Sequence, residues 1–167
     1  ADSFHLDVGL LGQKAILNAL SANGYADAAY RIASQTAYPS WGWWIANGAP
    51  TLYENWKIDA ASDASLNHIM FGEIGAWLYK GLGGIRPDAS QPGFKNVILS
   101  PHFVSGLDHF EATHRGPFGT IGSSWSRTGW PQRAAAPTSG FCATSRLRSR
   151  GTSGPVTARS GQAEQRR

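Results

Sequence analysis

Glu54 stands between Tyr53 and Trp56 in the stretch from Tyr38 to Gly72, where the residues able to do chemistry are concentrated. The stretch reads Tyr-Pro-Ser-Trp-Gly-Trp-Trp from Tyr38, Asn-Gly-Ala-Pro-Thr-Leu-Tyr-Glu-Asn-Trp from Asn47, and Ser-Leu-Asn-His-Ile-Met-Phe-Gly from Ser65. These three pieces hold one carboxylate and one histidine, Glu54 and His68, among the rings of Trp41, Trp43, Trp44, Tyr53 and Trp56, and Asp59 and Asp63 lie between the second piece and the third. Large amphipathic rings pack against apolar surface and keep a polar tip for hydrogen bonding. A carboxylate beside them can take a proton from a water. Together they suit a protein that grips a sugar and activates water against it.

Each residue also has a structural reading. Glu54, the only acid between Asp27 and Asp59, is either a general base or a loop carboxylate that satisfies backbone donors. His68 lies three residues after Ser65, a capping type, and is either a ligand contact or a core residue. Trp43 and Trp44 are adjacent and must point in different directions, so one of them packs. Glu73 reads as an exposed helix-face charge, and Asp59 and Asp63 as solvated or turn-forming loop acids. His5, His102, His109 and His114 show no ligand spacing with His68, so no metal site is expected.

These residues need a frame, and the flanking periodicity supplies one. Leu10, Leu11, Ile16, Leu17 and Leu20 follow a helical spacing between Gly9 and Asn23, and Asn23-Gly24 is a helix stop. A second helix is expected from about Ala26 to Thr36, antiparallel to the first because the turn is short. A long loop, 37–64, then carries the aromatic cluster, and loops of that length in compact domains are functional or disordered. The large aromatics argue against disorder. The next helix is expected from Ser65 to Leu82, with Ile69, Met70, Ile74, Trp77, Leu78 and Leu82 as its buried stripe and Gly83-Gly84 as its stop. Beyond Arg86-Pro87-Asp88 the period falls to two, so Phe94 with Val97, Ile98 and Leu99, then His109 to His114 and Phe118 to Trp125, read as short strands. The fold is therefore expected to be mainly α before residue 87 and β after it.

Charge divides the chain differently. Residues 1–126 carry seven Lys or Arg and ten Asp or Glu, whereas residues 127–167 carry eight Arg and a single acid, Glu164. The last stretch is Arg, Ser, Gly, Thr, Pro and Ala without periodicity, and such a composition cannot offset its ordering entropy. Residues 127–167 are thus expected to be a basic, disordered tail outside the fold, as a slipped reading frame would produce. A nucleic-acid tail is the rival, but it lacks the interleaved aromatics that such grooves use, so no nucleic-acid partner is expected. No basic n-region precedes an apolar h-region at the amino end, and no apolar run nears the roughly 20 residues of a membrane span. No membrane association is expected, and the compartment, cytoplasm or outside the cell, stays open. Cys142, the single cysteine, has no intramolecular partner for a disulfide.

Five pieces in order resemble the bacterial α-L-rhamnosidases of glycoside hydrolase family 78. They are Asp7-Val8-Gly9-Leu10-Leu11-Gly12, Tyr38-Pro39-Ser40-Trp41, Gly48 to Trp56, Asn67-His68 with Phe71-Gly72, and Gly84 to Asp88 with Pro92-Gly93-Phe94. The resemblance covers residues from about 4 to 126. It implies that residues 1–86 are the last hairpins of an (α/α)6 catalytic barrel and that residues 87–126 begin a C-terminal β-sandwich. It also implies that Glu54 is the general base of an inverting rhamnosidase and that His68 contacts a terminal rhamnose, with no cofactor required. Trp56, Trp41 and Tyr53 are expected to contact the same sugar because rings stack on the apolar face of a pyranose, the alternative being that these rings are core residues.

The chain departs from the family pattern in three respects. The acidic segment carrying the general acid is not in it, Tyr53 stands where many members have Trp, and the sandwich is cut short. The isolated chain is therefore expected to hydrolyse little or nothing and to expose apolar faces that other hairpins should cover. Two other functions stay open, a non-catalytic sugar-binding fragment and a different six-hairpin glycosidase.

Overall fold

The computed structural model describes residues 4–6, 8–58 and 65–127, together with the backbone of 141–148 and 158–160. The chain divides into two compact units, Ala1–Trp77 and Leu78–Arg167.

The first unit is helical. Helix α1 spans Leu10–Ala22 and α2 spans Ala26–Ala33, packed as the expected hairpin. Its turn is a Schellman motif, in which Tyr25 N–H donates to Leu20 O (2.8 Å) and Gly24 N–H to Ser21 O (3.2 Å). Gly24 sits at φ +84°, a conformation that costs a side-chain-bearing residue energy. Helix α1 buries Gln13, Leu17 and Ser21, one residue per turn, and Ser21 Oγ accepts the Trp77 Nε1 hydrogen at 2.8 Å. That bond ties α1 to α4, Glu73–Trp77.

Two expectations in this unit are corrected. The stretch expected to be a loop contains a helix, α3, Trp41–Ala46. Ser40 caps it, accepting the Trp43 backbone N–H at 3.0 Å, and so supplies the start signal that its aromatic composition obscured. At Gly42 a Cβ would lie 2.3 Å from Gln35 O, so the absent side chain lets α3 approach the end of the hairpin closely. The helix expected from Ser65 starts later and is irregular. A 3-10 turn at Ile69–Gly72 leads into α4, and a π-turn follows at Leu78–Leu82. His68 takes extended φ/ψ and caps the 3-10 turn, which delays helical geometry until Ile69. The offset turns Ile69 outward, so it leaves the expected buried stripe and is 86% exposed.

The second unit is β-rich. Strands β1 (Ile85–Pro87) and β2 (Val97–Leu99) pair antiparallel, with Ile85 opposite Leu99. Strands β3 (His109–Gly116) and β4 (Gly119–Arg127) form a hairpin closed by the pair Gly116 and Gly119. Ile85, Val97, Leu99, Ala112 and Ile121 make the core, with Phe94 and Phe110 packed against it. Trp125 Nε1 donates to Leu82 O at 2.8 Å, satisfying the end of the π-turn.

The expectation of a structureless tail is corrected in part. Strand β5 (Phe141–Arg148) pairs antiparallel with β4, and β6 (Ala158–Ser160) pairs parallel with β2. The edge of a sheet offers main-chain donors and acceptors to any extended segment, whatever its side-chain composition, and periodicity cannot reveal such pairing. The rest of the expected tail after Arg127 lies outside the described residues.

Candidate active site

Two short segments of the first unit are laced together. Glu54 N–H donates to Ser65 O (2.9 Å), and His68 N–H donates to Leu52 O (2.7 Å). Ser65 N–H in turn donates to Glu54 Oε2 at 2.7 Å, and Thr51 Oγ1 donates to Leu66 O. Glu54 therefore exchanges two bonds with one residue, through its main chain and its carboxylate. A bond to an ionised acceptor is stronger than one between neutral groups, so the carboxylate has a preferred direction. Glu54 and His68, fourteen positions apart in sequence, lie on one small laced platform.

His68 has a defined proton arrangement. Its Nδ1 accepts the Met70 N–H at 3.3 Å, and an accepting Nδ1 requires the proton of a neutral imidazole on Nε2. The ring thus presents an N–H donor at its far end. Its extended backbone and this cap together start the turn that buries Phe71.

Behind the platform lies an aromatic cluster. Trp41, Trp44, Tyr53, Trp56 and Phe71 are all buried. Trp44 is central, with ring centroids 4.7 Å from Trp56, 5.1 Å from Phe71 and 5.8 Å from Tyr53. Trp41 meets Trp56 edge-on at 5.4 Å. Each indole N–H is satisfied by a carbonyl: Trp41 donates to Phe71 O (3.1 Å), Trp44 to Trp56 O (3.0 Å) and Trp56 to Val8 O (3.4 Å). These bonds answer the polar requirement of burying tryptophan. They also tie α3, the Glu54 loop and the 3-10 turn into one body. Of the adjacent pair, Trp44 is the packing residue, whereas Trp43 is half-buried and meets the exposed Tyr38 edge-on at 4.9 Å.

Every candidate among Glu54, His68, Trp56, Trp41 and Tyr53 therefore belongs to one platform and the cluster beneath it. The polar pair, Glu54 and His68, is half-buried and the three rings are buried. Sequence reading missed Thr51 and the Ser65 amide. The Ser-x-x-His spacing pointed to a cap by Ser65, whereas Ser65 Oγ accepts from Asn67 N–H (3.2 Å) in a local turn and His68 does the capping. Glu73 is also corrected. It is half-buried, and its Oε1 accepts the Asn18 Nδ2 hydrogen at 2.8 Å, because α4 packs on α1 and brings the two residues together. Asp59 and Asp63 lie outside the described residues. No group of three His, Cys, Asp or Glu able to hold a metal ion occurs among the described residues, nor any helix long and apolar enough to cross a membrane.

The first unit thus joins a helical hairpin to a loop that holds an acid on an aromatic platform, and a sheet-forming unit follows it in the chain. Residues 1–82 match the family model described as the bacterial alpha-L-rhamnosidase 6 hairpin glycosidase domain, and residues 84–134 match the bacterial alpha-L-rhamnosidase C-terminal domain. An alpha-L-rhamnosidase of Alteromonas sp. (strain LOR) is 36% identical over 131 residues, which is 74% of this chain and 14% of the relative. The solved alpha-L-rhamnosidase of Dictyoglumus thermophilum superposes with a TM-score of 0.70 at 36% identity, over 77% of this chain and 14% of that one. That of Streptomyces avermitilis, solved with L-rhamnose, gives 0.66 at 30% identity over 75% and 13%. The chain belongs to the bacterial α-L-rhamnosidase family, and it spans about 14% of the length of such relatives.

Proposed function

We propose that this chain supplies the base-side part of an inverting α-L-rhamnosidase site that hydrolyses terminal α-L-rhamnose from glycosides. Residues 1–86 are read as the closing hairpins of an (α/α)6 barrel and 87–126 as the start of a β-sandwich, with 127–167 as an appended tail. The observation that carries the reading is the double bond exchange between Glu54 and Ser65, which aims a carboxylate from a platform that also holds His68.

An inverting glycosidase needs two carboxyl groups, about 6.5–9.5 Å apart, one protonating the leaving oxygen and one activating water on the opposite face. Glu54 is the second of these. The Ser65 amide holds Oε2, and Oε1 takes the proton as the water attacks the anomeric carbon. The Nε2–H of His68 donates to a hydroxyl of the sugar. Trp41, Tyr53 and Trp56 act as the wall that keeps platform and α3 in register, and water shed at that wall leaves the carboxylate beside an apolar surface. The other carboxyl comes from outside this chain's matched stretch, so the chain alone turns over little or no substrate.

The test replaces the matching stretch of the Dictyoglumus thermophilum enzyme with residues 4–127. The hybrid should hydrolyse 4-nitrophenyl α-L-rhamnopyranoside and release the β-anomer first, as followed by proton NMR. Glu54→Gln in the hybrid should lower kcat by at least about 10²-fold, the scale of general acid–base catalysis, with L-rhamnose affinity by calorimetry retained. Unchanged turnover in that variant removes the assignment. Titration of L-rhamnose into the unmodified chain addresses the non-catalytic alternative, which predicts binding without a partner.

A further inference from the structure

Glu54 and His68 stand on different segments, 51–54 and 65–68, and four hydrogen bonds among the described residues hold those segments side by side. Two are main-chain bonds, Glu54 N–H to Ser65 O at 2.9 Å and His68 N–H to Leu52 O at 2.7 Å. The third ends on the carboxylate itself, where Oε2 accepts the Ser65 N–H at 2.7 Å. The fourth runs from Thr51 Oγ1 to Leu66 O. It lands one residue past Ser65, whose amide holds the carboxylate, and two residues before His68. Apart from Glu54, Thr51 is the side chain that hydrogen-bonds one segment to the other among the described residues.

Thr51 is exposed, and so is its bond. An exposed hydroxyl and carbonyl accept water in place of each other, so this bond adds little to folding. Its effect is on direction. Threonine is branched at Cβ and confined at χ1, which makes its hydroxyl a short, stiff strut. Without that strut the platform persists on its main-chain bonds, but the Leu66 carbonyl is free to tilt. The tilt passes to the neighbouring Ser65 amide and from there to the Glu54 carboxylate it holds. His68 keeps its own anchors, the bond to Leu52 O and the acceptance of the Met70 N–H by Nδ1.

We infer that Thr51 is a positioning residue for the hydrolytic reaction, its hydroxyl fixing the Leu66 carbonyl and thereby the direction of the Glu54 carboxylate relative to the His68 ring. The inference rests on the reading of Glu54 as the general base and deepens it by naming the side chain that aims it. A reacting group displaced by about 1 Å loses up to about 10²-fold in rate. Loss of the Thr51 hydroxyl should therefore act on kcat. Affinity for the sugar should hold, because the anchors of His68 are untouched.

Thr51→Val keeps the shape and the branched Cβ and removes the hydroxyl, and two measurements read its effect. In the full chain, amide exchange at Ser65 should quicken by about tenfold or more while the urea midpoint stays at the parent value. In the hybrid enzyme described above, Thr51→Val should lower kcat by about tenfold or more, with the Kd for L-rhamnose held within about twofold. Thr51→Ser, which retains the hydroxyl, should recover most of that kcat. In the Glu54→Gln background Thr51→Val should lower kcat no further, because it acts through that carboxylate. Parent kcat in Thr51→Val, a loss that Thr51→Ser does not recover, or unchanged exchange at Ser65 overturns the proposal. A fall in kcat that matches a fall in folded protein marks a merely structural role and overturns it as well. Turnover that survives Glu54→Gln removes the base reading and this proposal with it. Turnover lost in Glu54→Gln but kept in Thr51→Val removes this proposal alone, so the two failures are separable.

Discussion

Trp44→Phe is the perturbation that most directly tests whether the aromatic cluster is the frame of the site. Trp44 is 2% exposed, and its Nε1 is the donor to Trp56 O at 3.0 Å. Phenylalanine keeps one ring and loses the N–H, leaving a buried carbonyl without its donor at a cost of about 1–3 kcal/mol. The lost second ring adds a void beside Trp56 and Phe71, whose centroids lie 4.7 Å and 5.1 Å away. The combined loss should be about 2–4 kcal/mol, below or near the roughly 3–5 kcal/mol typical of truncating a buried tryptophan to alanine. The neighbouring change Trp43→Phe is the control, because that ring is half-buried at the edge of the cluster, and it should cost about 1 kcal/mol or less. Urea unfolding followed by far-UV circular dichroism reads both as a fall in midpoint at constant slope. Amide exchange at Ser65, whose N–H is held by Glu54, should also quicken in the Trp44 variant. Equal costs for the two variants, or a Trp44→Phe cost under about 0.5 kcal/mol, would refute the cluster as the organising element.

Three further outcomes follow from individual contacts. Ser40→Ala removes the buried cap of α3 and should destabilise the first unit by about 1 kcal/mol, whereas Ser40→Asp, which keeps a capping oxygen, should retain more of it in the same urea assay. Gly84 sits at φ +63° with the place of a Cβ only 2.1 Å from Pro101 N, so Gly84→Ala combines a left-handed penalty of about 1–3 kcal/mol with a backbone clash. It should sharply reduce soluble yield, and wild-type yield and melting temperature would contradict that geometry. His102 is held below the ordinary histidine value of 6.5, first by burial and then by the Arg86 charge. The unfolded chain therefore binds its proton more readily than the native one, and stability present above pH 6.5 is lost as pH falls through the lower native value. Melting temperatures between pH 7.5 and 5 should fall less steeply for His102→Gln than for the parent, and parallel curves would exclude this residue as a source of acid sensitivity.

Much of the frame was legible from local rules. Leucine spacing and Asn23-Gly24 predicted α1, its stop and the hairpin with α2. The change of period near Pro87 anticipated the β-rich unit and the β3–β4 hairpin. Short helices were less legible, since α3 is six residues, half of them aromatic, with a glycine inside, and its one start signal is Ser40. The tail misled for a different reason: edge pairing of β5 and β6 uses main-chain groups, on which composition is silent.

The sequence by itself determined the inventory of the site: the carboxylate of Glu54, a histidine at His68 and the rings beside them, together with the family they resemble. It determined the elements whose hydrogen bonds close within a few residues, because helix periodicity and turn chemistry depend on near neighbours. Tertiary structure alone decided which rings face inward, that Thr51 and Ser65 lace the platform, that Glu73 meets Asn18 fifty-five positions away, and that Ile69 points out of the fold. Those outcomes rest on contacts between distant segments. They are selected by the summed packing of several elements rather than by the residues on either side.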